Sequence, residues 1–86
     1  MTPRELLTPK EIQVARLVWA GLTNREIGKT MGTSEQVIKN HLRSTFDKLG
    51  VWSRLELAMY VAGHGGSNWL LETEPGAMAR GQAIGA

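Results

Sequence analysis

Between residues 36 and 43 lie the side chains with the clearest chemical use: the carboxamides of Gln36 and Asn40, the ammonium of Lys39 and the guanidinium of Arg43. They recur at helical spacing, which lays them along one face of a helix. Arg and Lys match the O6/N7 acceptors of guanine in a DNA major groove, and Asn and Gln match the N6/N7 edge of adenine. A solvated polar face has the same spacing, so the row does not decide by itself. The elements that would hold it decide.

The row belongs to an amphipathic stretch, residues 33–50, whose other face repeats Ile38, Leu42, Thr45, Phe46 and Leu49. One helix is expected there. Thr33 or Ser34 caps it, Gln36 can close a capping box from Thr33, and Gly50 stops it.

The same grammar occurs elsewhere. Thr8 and Glu11 form a capping box with Pro9 at the first helical position and Leu7 and Ile12 as a hydrophobic staple. That helix should run to about Ala20, with Val14, Leu17 and Val18 inward and Gly21 as its stop. Thr23 and Glu26 make a second box, stapled by Leu22 and Ile27, in a short helix ended by Gly32. Ser53 and Glu56 make the last box, flanked by Trp52 and Leu57, in a helix reaching about Ala62 before Gly63. These signals predict an all-α fold of four helices with short connections.

Between the second and third predicted helices there is room only for a tight turn centred on Gly32. Such a pair, at about residues 23–42, matches a helix-turn-helix, whose second helix enters the major groove. Gly28 and Met31 fall where the second helix must approach its neighbours. A mid-helix glycine costs roughly 1 kcal/mol relative to alanine, so Gly28 is expected to allow a close backbone approach.

The chain has 86 residues, enough for one small domain. It contains no cysteine, which removes disulfides and thiolate metal sites, and its two histidines, His41 and His64, lack metal-pair spacing. No cofactor is expected. No apolar run approaches the roughly 20 residues that cross a bilayer, so the reading has no membrane partner and places the protein in the cytoplasm. Nothing makes a nucleophile–base pair, a phosphate loop or a carboxylate dyad, so an enzyme is not expected. Net charge is +2, but residues 1–62 hold nine Lys and Arg against six Asp and Glu, while residues 63–86 hold one against two. The positive charge thus sits on the part that reads as folded, as a polyanionic partner requires.

Residues 1–6 read as a short lead-in, residues 7–62 as the domain and residues 63–86 as a glycine-rich tail, mostly disordered. Trp69-Leu70-Leu71 is the exception, an apolar triplet that could dock back on the domain or bind a partner, although plain tail is the favoured reading.

With these residues in place, the chain resembles the LuxR/GerE family of bacterial transcription regulators over residues 7–62. The resemblance rests on Leu7-Thr8-Pro9-Lys10-Glu11, Gly21-Leu22-Thr23-Asn24-Arg25-Glu26-Ile27, Val37-Ile38-Lys39-Asn40-His41 and Lys48-Leu49-Gly50-Val51 with Arg54 after it. It implies a compact four-helix helix-turn-helix domain that binds double-stranded DNA through its third helix, about residues 34–49, and pairs as a homodimer through its fourth. Carried over by position, Gln36, Val37, Lys39, Asn40 and Arg43 are the base-reading set. Arg25, Lys29, Ser34, Ser44 and Lys48 are the phosphate set. Leu55, Ala58, Met59 and Ala62 form the dimer surface, with Tyr60 at its edge, and His41 takes a packing or phosphate role. The chain departs from the family at Gln13, Ala15, Trp19, Val37 and Trp52. The Trp19 ring, four residues after Ala15, is expected to fill the volume of the missing larger side chain, and Trp52 to be exposed.

Two other functions share this grammar: a protein-interaction module that pairs with another regulator or RNA polymerase, and a sigma region 4-like promoter reader. Six residues before the first helix leave no room for a receiver or ligand-binding domain. Control is therefore expected from abundance, the tail, a partner or a domain beyond these residues.

Overall fold

Each long helix begins at a hydroxyl. In the computed structural model, which describes residues 3–69, Thr8, Thr23, Ser34 and Ser53 accept hydrogen bonds from Glu11, Glu26, Val37 and Glu56 N–H groups. These side chains satisfy donors that the first turn of a helix leaves open. The helices that follow are α2 (Pro9–Trp19), α3 (Asn24–Met31), α4 (Glu35–Leu49) and α5 (Arg54–Gly63), preceded by a one-turn α1 (Pro3–Leu6). The expected all-α fold of four principal helices is the observed one.

The boxes at Thr8 and Thr23 are complete: Glu11 and Glu26 each accept the cap residue's own N–H at 2.8 Å. The box expected from Thr33 and Gln36 does not form. Ser34 is the cap, and the Gln36 amide donates to Asn40 one turn on. At Ser53 only the serine half of the box is present.

Residues at helical spacing converge on one core. Val14, Ala15, Ile27, Ile38, Leu57 and Val61 have no accessible surface, and Leu7, Ile12, Leu17, Val18 and Leu42 are nearly as buried. Each large member adds roughly 1.5–3 kcal/mol of hydrophobic stabilisation. α2 lies at the centre and packs against α5, α4 and α3. The α3–α4 pair forms the helix-turn-helix. Its turn depends on two glycines. Gly32 takes a left-handed conformation (φ +70°), and a Cβ at Gly28 would stand 3.0 Å from the Thr33 carbonyl oxygen. Gly28 therefore lets α3 rest directly on the start of α4, as its position in the sequence suggested.

Three expectations near the chain ends change. Pro3–Leu6, read as a lead-in, forms α1. Gly63 remains helical, and the chain turns instead at Gly65 and Gly66, both with positive φ. A 3-10 turn (Gly66–Asn68) then returns Trp69 to the core, where it is fully buried. The Trp69 indole N–H donates to the Ile12 carbonyl at 2.8 Å and the ring meets Tyr60 edge-on. Residues 63–69, read as the first part of the tail, therefore belong to the folded domain. Leu70, Leu71 and the rest of the expected tail lie outside the described residues. The large ring in the core is Trp69 and not Trp19, which is 36% exposed and lies over Gly66. No helix among the described residues is long and apolar enough to cross a membrane.

Candidate nucleic-acid interface

α4 presents two faces with opposite environments. Ile38, Leu42 and Thr45 are buried, with Phe46 and Leu49 partly so. Gln36, Val37, Lys39, Asn40 and Arg43, the residues expected to read bases, are all exposed. Thr45, a polar member of the inner face, is satisfied by donating to the His41 carbonyl at 2.7 Å. His41 itself is half-buried.

The outer face is partly organised by its own side chains. The Gln36 amide donates to Asn40 Oδ1 at 3.2 Å, leaving the Asn40 amide hydrogens free to donate outward. Lys39 lies 3.3 Å from Glu35 in a solvent-exposed i,i+4 pair. Such a pair is worth only about 0.3–0.5 kcal/mol and yields readily to a stronger anion. Arg43 has no hydrogen-bond or ion-pair partner among the described residues, so its fork is uncommitted. The face can thus offer a guanidinium, a displaceable ammonium and an oriented carboxamide to one surface.

The residues expected to touch phosphate divide into two groups. Arg25 and Lys29 are exposed on α3, and Arg25 shares a surface groove with Glu35 at the start of α4. Ser34 is exposed at the α4 cap, and its hydroxyl can still donate while it accepts from Val37. Ser44 and Lys48 gather instead at Glu11 on α2. Lys48 Nζ lies 2.7 Å from the Glu11 carboxylate, which is 3% exposed. Burial pushes this carboxyl up. The Lys48 bond, the Thr8 N–H, the Ser44 hydroxyl and the Lys48 charge outweigh it and hold the pKa at about 2. Two candidate phosphate donors are therefore already engaged within the fold.

On α5, Leu57 and Val61 face the core while Leu55 and Met59 are 71% and 64% exposed. Ala62 is exposed beside them and Ala58 is half-buried. Tyr60, expected at the edge of this surface, stacks on His64, whose ring nitrogen Nδ1 lies 2.8 Å from the Tyr60 carbonyl.

One positioning residue escaped the reading of side-chain roles. Arg54 donates to Asn24 Oδ1 at 2.6 Å and to the Leu22 carbonyl, tying the start of α5 to the start of α3. The sequence offered Arg54 only as part of a motif, because its partners lie about thirty residues earlier in the chain.

Residues 5–61 match the family described as "Bacterial regulatory proteins, luxR family". The chain is 41% identical over 59 residues to a Mycobacterium bovis protein whose name describes an HTH-type transcriptional regulator, matching 69% of this chain and 7% of that one. It is 34% identical over 59 residues to the transcriptional regulatory protein LiaR of Bacillus subtilis, covering 69% of this chain and 28% of that protein. With LnrK of the same organism it shares 37% over 65 residues, 73% of this chain and 30% of the relative. The chain thus matches less than a third of the length of each of these relatives. No solved structure matches it significantly. The matched span contains α2, the helix-turn-helix and nearly all of α5, and by it the chain belongs to the luxR family of bacterial regulatory proteins.

Proposed function

We propose that this chain is the sequence-specific, double-stranded-DNA-binding part of a transcription regulator. α4 lies in the major groove, and two copies pair through α5 on an inverted repeat. The family membership and the names of the relatives support regulation and DNA binding. One observation carries the finer reading. The residue types that match base edges stand together on the water-facing side of the second helix of a helix-turn-helix whose turn is held by Gly28 and Gly32.

Lys39 and Arg43 suit guanine O6/N7, Asn40 and Gln36 suit adenine N6/N7, and the exposed Val37 methyls suit a thymine methyl. Arg25, Lys29 and Ser34 take the neighbouring phosphates, which set register without reading sequence. Lys48 serves first to neutralise Glu11, and Ser44 to hydrogen-bond the same carboxylate. Leu55, Met59 and Ala62, with Ala58 at the margin, form the surface on which a second copy sits, because their exposed apolar side chains gain by burial.

Selection from random duplex DNA at physiological salt tests the reading directly. An enriched inverted repeat is expected, and its half-site separation gives the dimer geometry. A single unpaired half-site would remove the α5 pairing, and a pool with no enrichment would remove sequence-specific DNA binding altogether.

A further inference from the structure

Trp52 is the most exposed large apolar residue described, at 88%, and neither the core nor the base-reading set uses it. Tryptophan is highly buried on average, and an indole left in water contributes none of the large apolar burial it can supply. Its surroundings are specific. Trp52 lines a surface groove with Lys39 and Arg43 from α4, over an apolar floor that includes Leu42 and Phe46. Lys39 and Arg43 belong to the reading face, so Trp52 borders the same surface from the loop before α5.

We propose that Trp52 is a DNA-backbone contact: its ring lies against a deoxyribose and its Nε1–H donates to a phosphate oxygen of the strand beside Arg43. The inference rests on the DNA-binding reading above. Walls of a major groove are sugar-phosphate strands, so a duplex seated on Lys39 and Arg43 carries one strand past the groove they share with Trp52. The cationic rim complements the phosphates and the apolar floor accommodates the sugars. Asp47, one helical turn beyond Arg43, also lines the groove. A lysine at position 52 could pair with that carboxylate, whereas an indole donates to phosphate without carrying a charge for Asp47 to capture.

The test uses the whole chain and the duplex recovered by selection. In a Trp19→Phe background, acrylamide quenching reports chiefly on Trp52, because Trp69 is buried. Saturating duplex should lower the quenching constant at least about twofold. Trp52→Ala, checked for folding by circular dichroism, should bind roughly tenfold more weakly to every sequence, the equivalent of about one lost hydrogen bond. Its salt slope should be unchanged, since an uncharged ring releases no counterion, whereas Arg25→Ala should flatten the slope. Trp52→Phe, which keeps a ring and loses the donor, should fall between. If the wild type binds its duplex but Trp52 stays fully quenchable and Trp52→Ala binds equally well, the contact is wrong while DNA binding stands. A loss confined to the full inverted repeat and absent on an isolated half-site would move Trp52 to the dimer contact and overturn the proposal. No duplex binding by the wild type would overturn both.

Discussion

Lys48 Nζ lies 2.7 Å from Glu11 Oε1, and this ion pair joins the C-terminal turn of α4 to the first turn of α2. Glu11 has a second duty, because the same carboxylate accepts the Thr8 N–H at 2.8 Å and so closes the α2 capping box. One buried carboxylate thereby fixes where α2 begins and how α4 lies across it. A group with no room for water must be matched by its partners, and here the ammonium, a backbone N–H and the Ser44 hydroxyl do so. The orientation of the exposed α4 face thus depends on an ion pair between α4 and α2.

Stability should fall in acid through Glu11. Its folded pKa, about 2, lies below the ordinary 4.5, so its contribution is complete above about 4.5 and disappears as pH drops toward 2. The gap corresponds to about 3 kcal/mol at neutral pH. Urea denaturation of the wild type should lose most of this by about pH 2, and Glu11→Gln, less stable at pH 7, should show a correspondingly shallower acid loss. Parallel pH profiles for the two would remove Glu11 from the acid response.

Removing the ammonium leaves the carboxylate buried with fewer partners. Lys48→Met should destabilise the domain by roughly 1–3 kcal/mol, less than a fully buried pair costs because Lys48 is partly in water. The acid transition should also move to higher pH as the Glu11 pKa rises. The bases selected should stay the same. A changed consensus with unchanged stability would return Lys48 to the DNA surface.

Gly28→Ala tests the turn. Alanine gains roughly 1 kcal/mol in helix propensity. Its Cβ, however, would meet the Thr33 carbonyl at 3.0 Å and Ser34 and Glu35 backbone atoms at 3.2 and 3.3 Å. Backbone cannot yield as a side chain can, so α3 and α4 must separate. Overpacking of this kind costs about 1–3 kcal/mol, and the net effect should be loss of stability with weaker DNA binding. A more stable protein in chemical denaturation would show that the turn tolerates the shift.

What was legible in the sequence was local. Thr8, Thr23 and Ser53 announce their helices because a capping hydroxyl and its N–H partner lie three residues apart. The outward row on α4 was visible for the same reason, as a periodicity within one helix. Contacts across the chain were not. Lys48 meets Glu11 across 37 residues, and the sequence read Glu11 only as a capping partner and Lys48 only as a phosphate contact. Trp69 meets Ile12 across 57 residues, after a glycine-rich run that read as the end of the fold. Those glycines supply the positive-φ positions that turn the chain back, so the signal taken for disorder is the one that permits docking.

Trp69 lies beyond residue 61, where the family match ends, yet it is fully buried. Trp69→Ala should therefore behave as a core deletion and cost roughly 3–5 kcal/mol, whereas Trp19→Ala, from a partly exposed site, should cost distinctly less. A chain ending at Gly63 should lose the same stabilisation. Equal midpoints in chemical denaturation for wild type and Trp69→Ala would mean that the indole does not occupy the core in solution.

Arg43 and Asn40 differ in how their loss should be felt. Arg43 has no hydrogen-bond or ion-pair partner among the described residues, so Arg43→Ala should leave stability within about 0.5 kcal/mol. Asn40 also receives the Gln36 amide, so Asn40→Ala releases Gln36 as well and should loosen preference at a second position. If each makes a bidentate base contact, each substitution should cost about 1–3 kcal/mol on the preferred site and little on random duplex. Lys29→Ala should instead weaken both alike and reduce the salt slope by roughly one counterion. Repeating the selection with each variant separates these cases. A reading face placed correctly gives relaxed preference at one base position for Arg43→Ala and at two for Asn40→Ala. Full sequence preference in both variants would place the base-reading surface elsewhere on the domain.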